Sequence, residues 1–147
     1  MVQLTLPKNS RITDGKTWAR PAAAHDVREY RIEARSTDTF GRVLCAARQQ
    51  HFVVDGPLQN GCPGEAVTPA EIFLAGVAAC GVELVEVIAR DSQVPLRAVH
   101  VAAQGVLDRS RPVREDVNVF NAVHLTFTLE GVGQESADEL VAAFKRR

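Results

Sequence analysis

Residues 68–91 read TPAEIFLAGVAACGVELVEVIARD, and the way this stretch folds decides the architecture of the chain. Thr68, Pro69 and Glu71 form a capping box, T-x-x-E, with proline at the first helical position. The spacing therefore predicts a helix over Thr68–Asp91, about 36 Å long and able to cross a whole domain. Between Ile72 and Val82 no charged residue occurs. A helix that is apolar all round is enclosed, so this one is expected at the centre of the molecule or of a subunit interface. Gly76, Ala78, Ala79 and Gly81 keep side-chain bulk low and permit another helix to approach closely. Charges return at Glu83, Glu86, Arg90 and Asp91, and Pro95 closes the element. Cys80 sits near its centre.

Upstream, residues 1–26 read as an N-terminal arm, interrupted by Pro7, Gly15 and Pro21, with Trp18 expected to dock on another surface such as a second subunit. Residues 27–147 read as one domain. Between Glu29 and Asp55 the pattern is extended: Tyr30, Ile32 and Ala34 alternate, GRVLCAA follows a glycine-marked turn, and HFVVD is β-branched. A Gly/Pro loop, GPLQNGCPGEAV, leads into the helix. Downstream, Val99, Val101, Ala103 and Leu107 share one strand face, and Val117, Val119, Val123, Leu125, Phe127 and Leu129 share another, with Asn121 the exception. The polar loop RSRPVRED between them predicts a hairpin. Ser136 and Glu139 suggest a second capping box, followed by the stripe Leu140, Val141 and Phe144. Strands, a central helix, a hairpin and a final helix make an α+β chain.

At 147 residues, with 46% hydrophobic and 24% charged residues, the chain has room for one sizeable core. A net charge of −1 argues against non-specific binding to nucleic acid or to anionic membranes. No uninterrupted apolar run approaches the ~20 residues of a bilayer span, and the N-terminus lacks a signal-type apolar core, so a cytoplasmic protein is expected. Three cysteines, Cys45, Cys62 and Cys80, lack metal-ligand spacing and read as free thiols. Cys45 belongs to an apolar strand and Cys62 to an exposed loop. His100 and His124 would oppose each other if the hairpin turned about Pro112, but two imidazoles without a carboxylate are too few for a metal site. No GxSxG, GxGxxG or nucleic-acid signature is present.

The segments DGPLQNGCPGEAVTPAEIFLAGVAAC (55–80), VPLRAVHV (94–101) and SADELVAAF (136–144) together resemble the OsmC/Ohr proteins, whose helix carries an NPEELFAAGYAAC-like motif after a Gly-rich loop. Pro69, Glu71, Phe73, Ala75, Gly76, Ala79 and Cys80 fall into that pattern, and the resemblance runs from about Glu29 to the last residue. It implies an OsmC-like fold, with antiparallel sheets packed on a long central helix, in an intertwined homodimer whose sites lie at the subunit boundary. The activity it implies is thiol-dependent reduction of organic hydroperoxides, with a thiol reductant and without cofactor or metal. The cysteine at Cys80 would attack the peroxide, helped by an arginine, a glutamate and a second cysteine. By family position the arginine falls at Thr39, which makes Arg35, Arg42 and Arg48 the candidates.

Two positions depart from that pattern. Ala70 stands where the family glutamate follows the helix proline, and Glu71, turned about 100° further round the helix, belongs to the cap. The second cysteine would fall near the closing Lys145, Arg146 and Arg147; Cys62 is a substitute. Read from the residues alone, a mid-helix apolar cysteine is a core residue. Cys80 lies roughly 18 Å into the helix, beyond the reach of the dipole, so a reactive Cys80 requires a cation arriving through the fold. Two readings follow: a thiol peroxidase acting through Cys80, or a non-catalytic dimer that binds a small apolar ligand at its interface.

Overall fold

The computed structural model describes residues 2–5, by backbone alone, together with 28–116 and 118–147. Trp18 and most of the expected arm lie outside the described residues. Six strands and two long helices follow in chain order: β1 (Val2–Thr5), β2 (Glu33–Ser36), β3 (Arg42–Ala47), β4 (Gln50–Asp55), α1 (Pro69–Asp91), β5 (Ala98–Val106), β6 (Ala122–Glu130) and α2 (Gln134–Lys145). They form two antiparallel sheets, ordered β1-β6-β5 and β2-β3-β4. The chain divides into two compact units, one joining Met1–Lys16 to Leu74–Arg147 and the other Thr17–Phe73. The first residues, expected only as part of an arm, give the edge strand β1, with Val2 paired to Leu129 and Thr5 to Thr126.

In the first unit the core is one apolar layer. Val85, Ile88 and Ala89 of α1 belong to the same cluster as Val101 of β5, Leu125, Phe127 and Leu129 of β6, and Ala137, Leu140, Val141 and Ala143 of α2. The period-two pattern of β6 places Leu125, Phe127 and Leu129 inward, and Phe127 meets Phe144 with ring centroids 5.2 Å apart and planes tilted by 59°. Gly81 lets α1 approach this layer, since a Cβ there would already lie 3.4 Å from Phe127 and Val101. By length and composition α1 could also cross a bilayer, contrary to the expectation from the sequence. Its inner face packs on the core of the first unit, which accounts for the apolarity of that face alone.

The hairpin is centred on Arg114, two residues beyond the expected Pro112. His100 faces Thr128, and His124 faces Gln104, so the two histidines are not opposed. Asn121, the exception to the apolar pattern, explains the shift. Its side chain accepts the Asp108 N–H at 2.6 Å and donates to the Arg111 carbonyl at 2.7 Å, closing the loop before β6 begins. Leu107, expected to share the buried face, lies past the end of β5 and is exposed. At Gly105 any Cβ would collide with the ring of Phe120, which folds over the strand.

The second expected capping box is also corrected. α2 begins at Gln134 with Gly133 as its N-cap and no side-chain cap bond. The Ala137 N–H already bonds the Gly133 carbonyl at 3.0 Å, so Ser136 sits inside the first turn. The first box is formed as expected, with Thr68 N–H and hydroxyl donating to Glu71 at 2.7 and 2.8 Å. The Thr68 N–H, and after it the hydroxyl, hold the Glu71 carboxyl below its ordinary value.

In urea denaturation Thr68→Ala should cost about 1 kcal/mol and Ser136→Ala no more than roughly 0.5 kcal/mol, because only the first side chain caps a helix. Phe127→Ala, which empties the centre of the layer, should cost about 3–5 kcal/mol.

Candidate functional site

The apolar stretch of α1 is two-faced. Gly81, Val85, Ile88 and Ala89 are buried, whereas Ile72, Phe73, Gly76, Ala79 and Cys80 are exposed. At 100° per residue the exposed set shares one side of the helix, with Glu83, Glu86 and Arg90 continuing it toward the C-terminus. Phe73 keeps 53% of its surface and Ile72 36%, which is high for side chains of their type. Among the described residues the helix is thus enclosed on one side only. Cys80 is an exposed free thiol on the open side, not a core residue of the chain.

The second unit holds a cluster of charge. Arg42, first residue of β3, lies opposite Asp55, last residue of β4. Its guanidinium grips the Asp55 carboxylate with two donors, Nε and Nη2, each at 2.9 Å, and Nη2 also reaches Glu65 at 2.6 Å. The same Asp55 carboxylate accepts the backbone N–H groups of Glu65 and Ala66, both at 3.0 Å. Asp55 is fully buried, the Arg42 side chain keeps 28% of its surface and Glu65 keeps 73%. The hydrogen bond from Arg42, opposed by burial and aided by the Ala66 and Glu65 amides, holds the Asp55 carboxyl far below the usual carboxylate range. Arg42 is in turn held more firmly in its charged form, by Asp55 first and Glu65 second.

The other arginines have different settings. Arg35 stands on β2 opposite Leu44 and lines a cavity on the sheet, while Arg48 occupies the turn between β3 and β4 in a left-handed conformation, φ 57°. Cys62, expected as an exposed loop thiol, is half-buried. Its Sγ fills the space beside Gly41 and Gly56, where any Cβ would collide with it. Cys45 is buried, as its strand position suggested. No group of three or more metal-ligating side chains occurs among the described residues. Asp55 and Glu65 were not anticipated. The one available signal was an aspartate closing a β-branched strand before Gly-Pro.

Two three-stranded antiparallel sheets with a long helix between them in the chain order define an α+β fold of the OsmC/Ohr class. The profile of OsmC-like proteins matches residues 62–147, and the chain belongs to that family. Solved structures agree in fold. An organic hydroperoxide resistance protein of OsmC type from Legionella pneumophila superposes with a TM-score of 0.61 at 22% identity, over 82% of this chain and 84% of the other. The OsmC-like protein of Mycoplasma pneumoniae gives 0.67 at 14% identity over 82% of each chain. An organic hydroperoxide resistance protein from Elizabethkingia anophelis, with thiocyanate bound, gives 0.64 at 16% identity over 82% and 83%. Separately, 39 residues, 26% of the chain, are 56% identical to the iron–sulfur subunit of succinate dehydrogenase from Paracoccus denitrificans, a match spanning only 15% of that subunit.

Ionised Asp55 has its folded value below its unfolded value of 3.8, so it stabilises the fold at neutral pH and that contribution fades as pH falls through about 4 and below. Asp55→Asn should lower the urea midpoint at pH 7 and flatten its decline between about pH 5 and pH 3. Parallel acid limbs in the two proteins would remove this role.

Proposed function

We propose that this OsmC-like chain is a thiol-dependent peroxidase that reduces organic hydroperoxides through Cys80. The observation that carries the reading is the exposed Cys80 thiol at the cysteine position of the family's helix motif. The Legionella and Elizabethkingia structures of the same fold, named for organic hydroperoxide resistance, support the substrate class. In the first step the Cys80 thiolate attacks one peroxide oxygen and the O–O bond breaks. The sulfur is oxidised to sulfenic acid, and the departing alkoxide takes a proton to leave as an alcohol. A thiol reductant then condenses with the sulfenic acid, releasing water, and a second thiol restores Cys80 while the reductant leaves as a disulfide. An arginine, drawn from Arg35, Arg42 and Arg48, favours the thiolate and orients the peroxide.

The functional form in this reading is a homodimer in a reducing, cytoplasmic compartment. The support is the open apolar side of α1: Ile72, Phe73, Gly76 and Ala79 offer a second copy a surface with little bulk at Gly76 and Ala79. Light scattering should give about twice the 16.0 kDa chain mass, and Gly76→Leu should shift the population toward monomer.

A second reading rests on Ala70 in the glutamate position and on the engagement of Arg42 with Asp55 and Glu65: a non-catalytic dimer that binds a small apolar ligand beside Cys80. Consumption of cumene hydroperoxide with dithiothreitol separates the two. The peroxidase reading expects turnover that falls at least about 100-fold in Cys80→Ser, the scale of losing a nucleophile. No turnover, with no sulfenic acid trapped by dimedone, gives the second reading the field.

A further inference from the structure

One face of the β2-β3-β4 sheet carries a cavity of about 350 Å³, lined by Glu33, Ala34, Arg35, Leu44, Ala46 and His51. Sheet register explains its shape. Glu33 pairs with Ala46, and Ala46 with His51, so a single methyl group is flanked by two longer side chains. In the neighbouring row Arg35 pairs with Leu44 and Leu44 with Val53, which keeps 40% of its surface. A pit over Ala46 therefore adjoins an apolar strip over Leu44 and Val53. The buried Cys45 and Val54 point to the opposite face.

Glu33, Arg35 and His51 are all exposed, and none has a side-chain hydrogen bond or ion pair among the described residues. Glu33 and Arg35 stand two residues apart on one face, about 7 Å along the strand. Opposite charges that close would suit a ligand carrying both signs, with the ammonium toward Glu33 and the carboxylate toward the fork of Arg35. A ligand with one charge would leave the other protein group facing it unmatched. The size, near the lower end for small-molecule pockets, suits a compact molecule.

We propose that this cavity binds a free α-amino acid with an aliphatic side chain. The ammonium sits over Ala46, donating to the Glu33 carboxylate and to an imidazole nitrogen of His51. The carboxylate pairs with Arg35, and the side chain lies over Leu44 and Val53. Engaging Arg35 here leaves Arg42 and Arg48 as the arginine candidates for the thiol, and binding is read without peroxide turnover, so Cys80→Ser leaves it intact whether or not the chain reduces peroxides.

Titration of the labelled full chain with L-leucine, followed by backbone amide shifts, tests the site. Saturable shifts are expected at residues 33–35, 44–46 and 51–53, with half-saturation at about 1 mM, an affinity suited to so small a ligand. Glu33→Gln and Arg35→Gln, both at exposed positions, should each weaken binding about tenfold or more. The analogues 4-methylpentanoate, lacking the ammonium, and isopentylamine, lacking the carboxylate, should bind about tenfold more weakly than leucine. Ala46→Leu should abolish binding while the amide spectrum stays folded. Absence of saturable shifts up to roughly 50 mM leucine, far above that affinity, overturns the proposal. Equal binding of 4-methylpentanoate, or binding retained in both charge variants, overturns it as well.

Discussion

A carboxylate with no exposed surface must be paired or it does not remain ionised, and Asp55 is such a group. Arg42 supplies two of its donors, and the backbones of Glu65 and Ala66 supply the others. The consequences run along the chain in both directions. Asp55 ends β4, and its own N–H bonds the Val67 carbonyl at 3.1 Å, while the next N–H, from Gly56, bonds Gly41 at 2.8 Å. Residues 56–67 are therefore returned to the β3-β4 hairpin at both ends. Thr68, one residue beyond Val67, is then delivered as the cap of α1. Removing Arg42 leaves the buried Asp55 charge with backbone amides alone, which is why the pair matters to order, whereas Arg42 would keep Glu65 and solvent if Asp55 were removed.

A different constraint governs the first unit. α1 must satisfy a packed layer on one side, and it does so with Val77, Ala78, Gly81, Val85, Ile88 and Ala89 against the β5-β6 hairpin and α2. Its other side carries equally apolar residues up to Cys80, then acidic ones. Such a division has no purpose in the isolated chain, where burial would favour polar residues on the open face. It is the pattern expected of an element that serves two cores, its own and one completed by another surface.

Much of this was legible from the residues. The capping box at Thr68 and Glu71 could be read because its chemistry is local, needing only hydrogen bonds across three residues. The inward set of β6 could be read from its strict alternation. The second box failed because S-x-x-E is satisfied equally by a first-turn position, and Gly133, which has no side chain to announce it, took the cap. The hairpin register failed because one side chain, Asn121, closed the loop from an apolar-looking run. Asp55 could not be recognised, since its burial depends on Arg42 thirteen residues earlier and on amides ten and eleven residues later. Whether α1 is enclosed by its own molecule or by a subunit interface could not be read, because apolarity in a sequence does not say what covers it; among the described residues one side is packed and the other open.

These outcomes narrow the chemistry available to Cys80 on the proposed reading. Glu71 and Cys80 are nine residues apart, which places them on opposite sides of the helix, and the Glu71 carboxylate already accepts both Thr68 donors. It cannot replace the family glutamate that Ala70 lacks. The helix dipole does not reach Cys80 either. Peroxide reduction nevertheless requires a thiolate and a proton for the departing alkoxide. Glu83 and Glu86 continue the Cys80 side of α1 but make no side-chain hydrogen bond or ion pair among the described residues, so on this reading the cation that stabilises the thiolate is an arginine whose orientation is set elsewhere. Among the three candidates, Arg42 alone has such an orientation, set by a buried carboxylate behind it; its second acceptor, Glu65, is exposed and held by one charge-assisted contact. An exposed pair of that kind contributes little and exchanges readily. The Asp55–Arg42 pair can therefore keep its geometry while the outer face of the guanidinium changes partner, which is the property an anion-stabilising arginine needs.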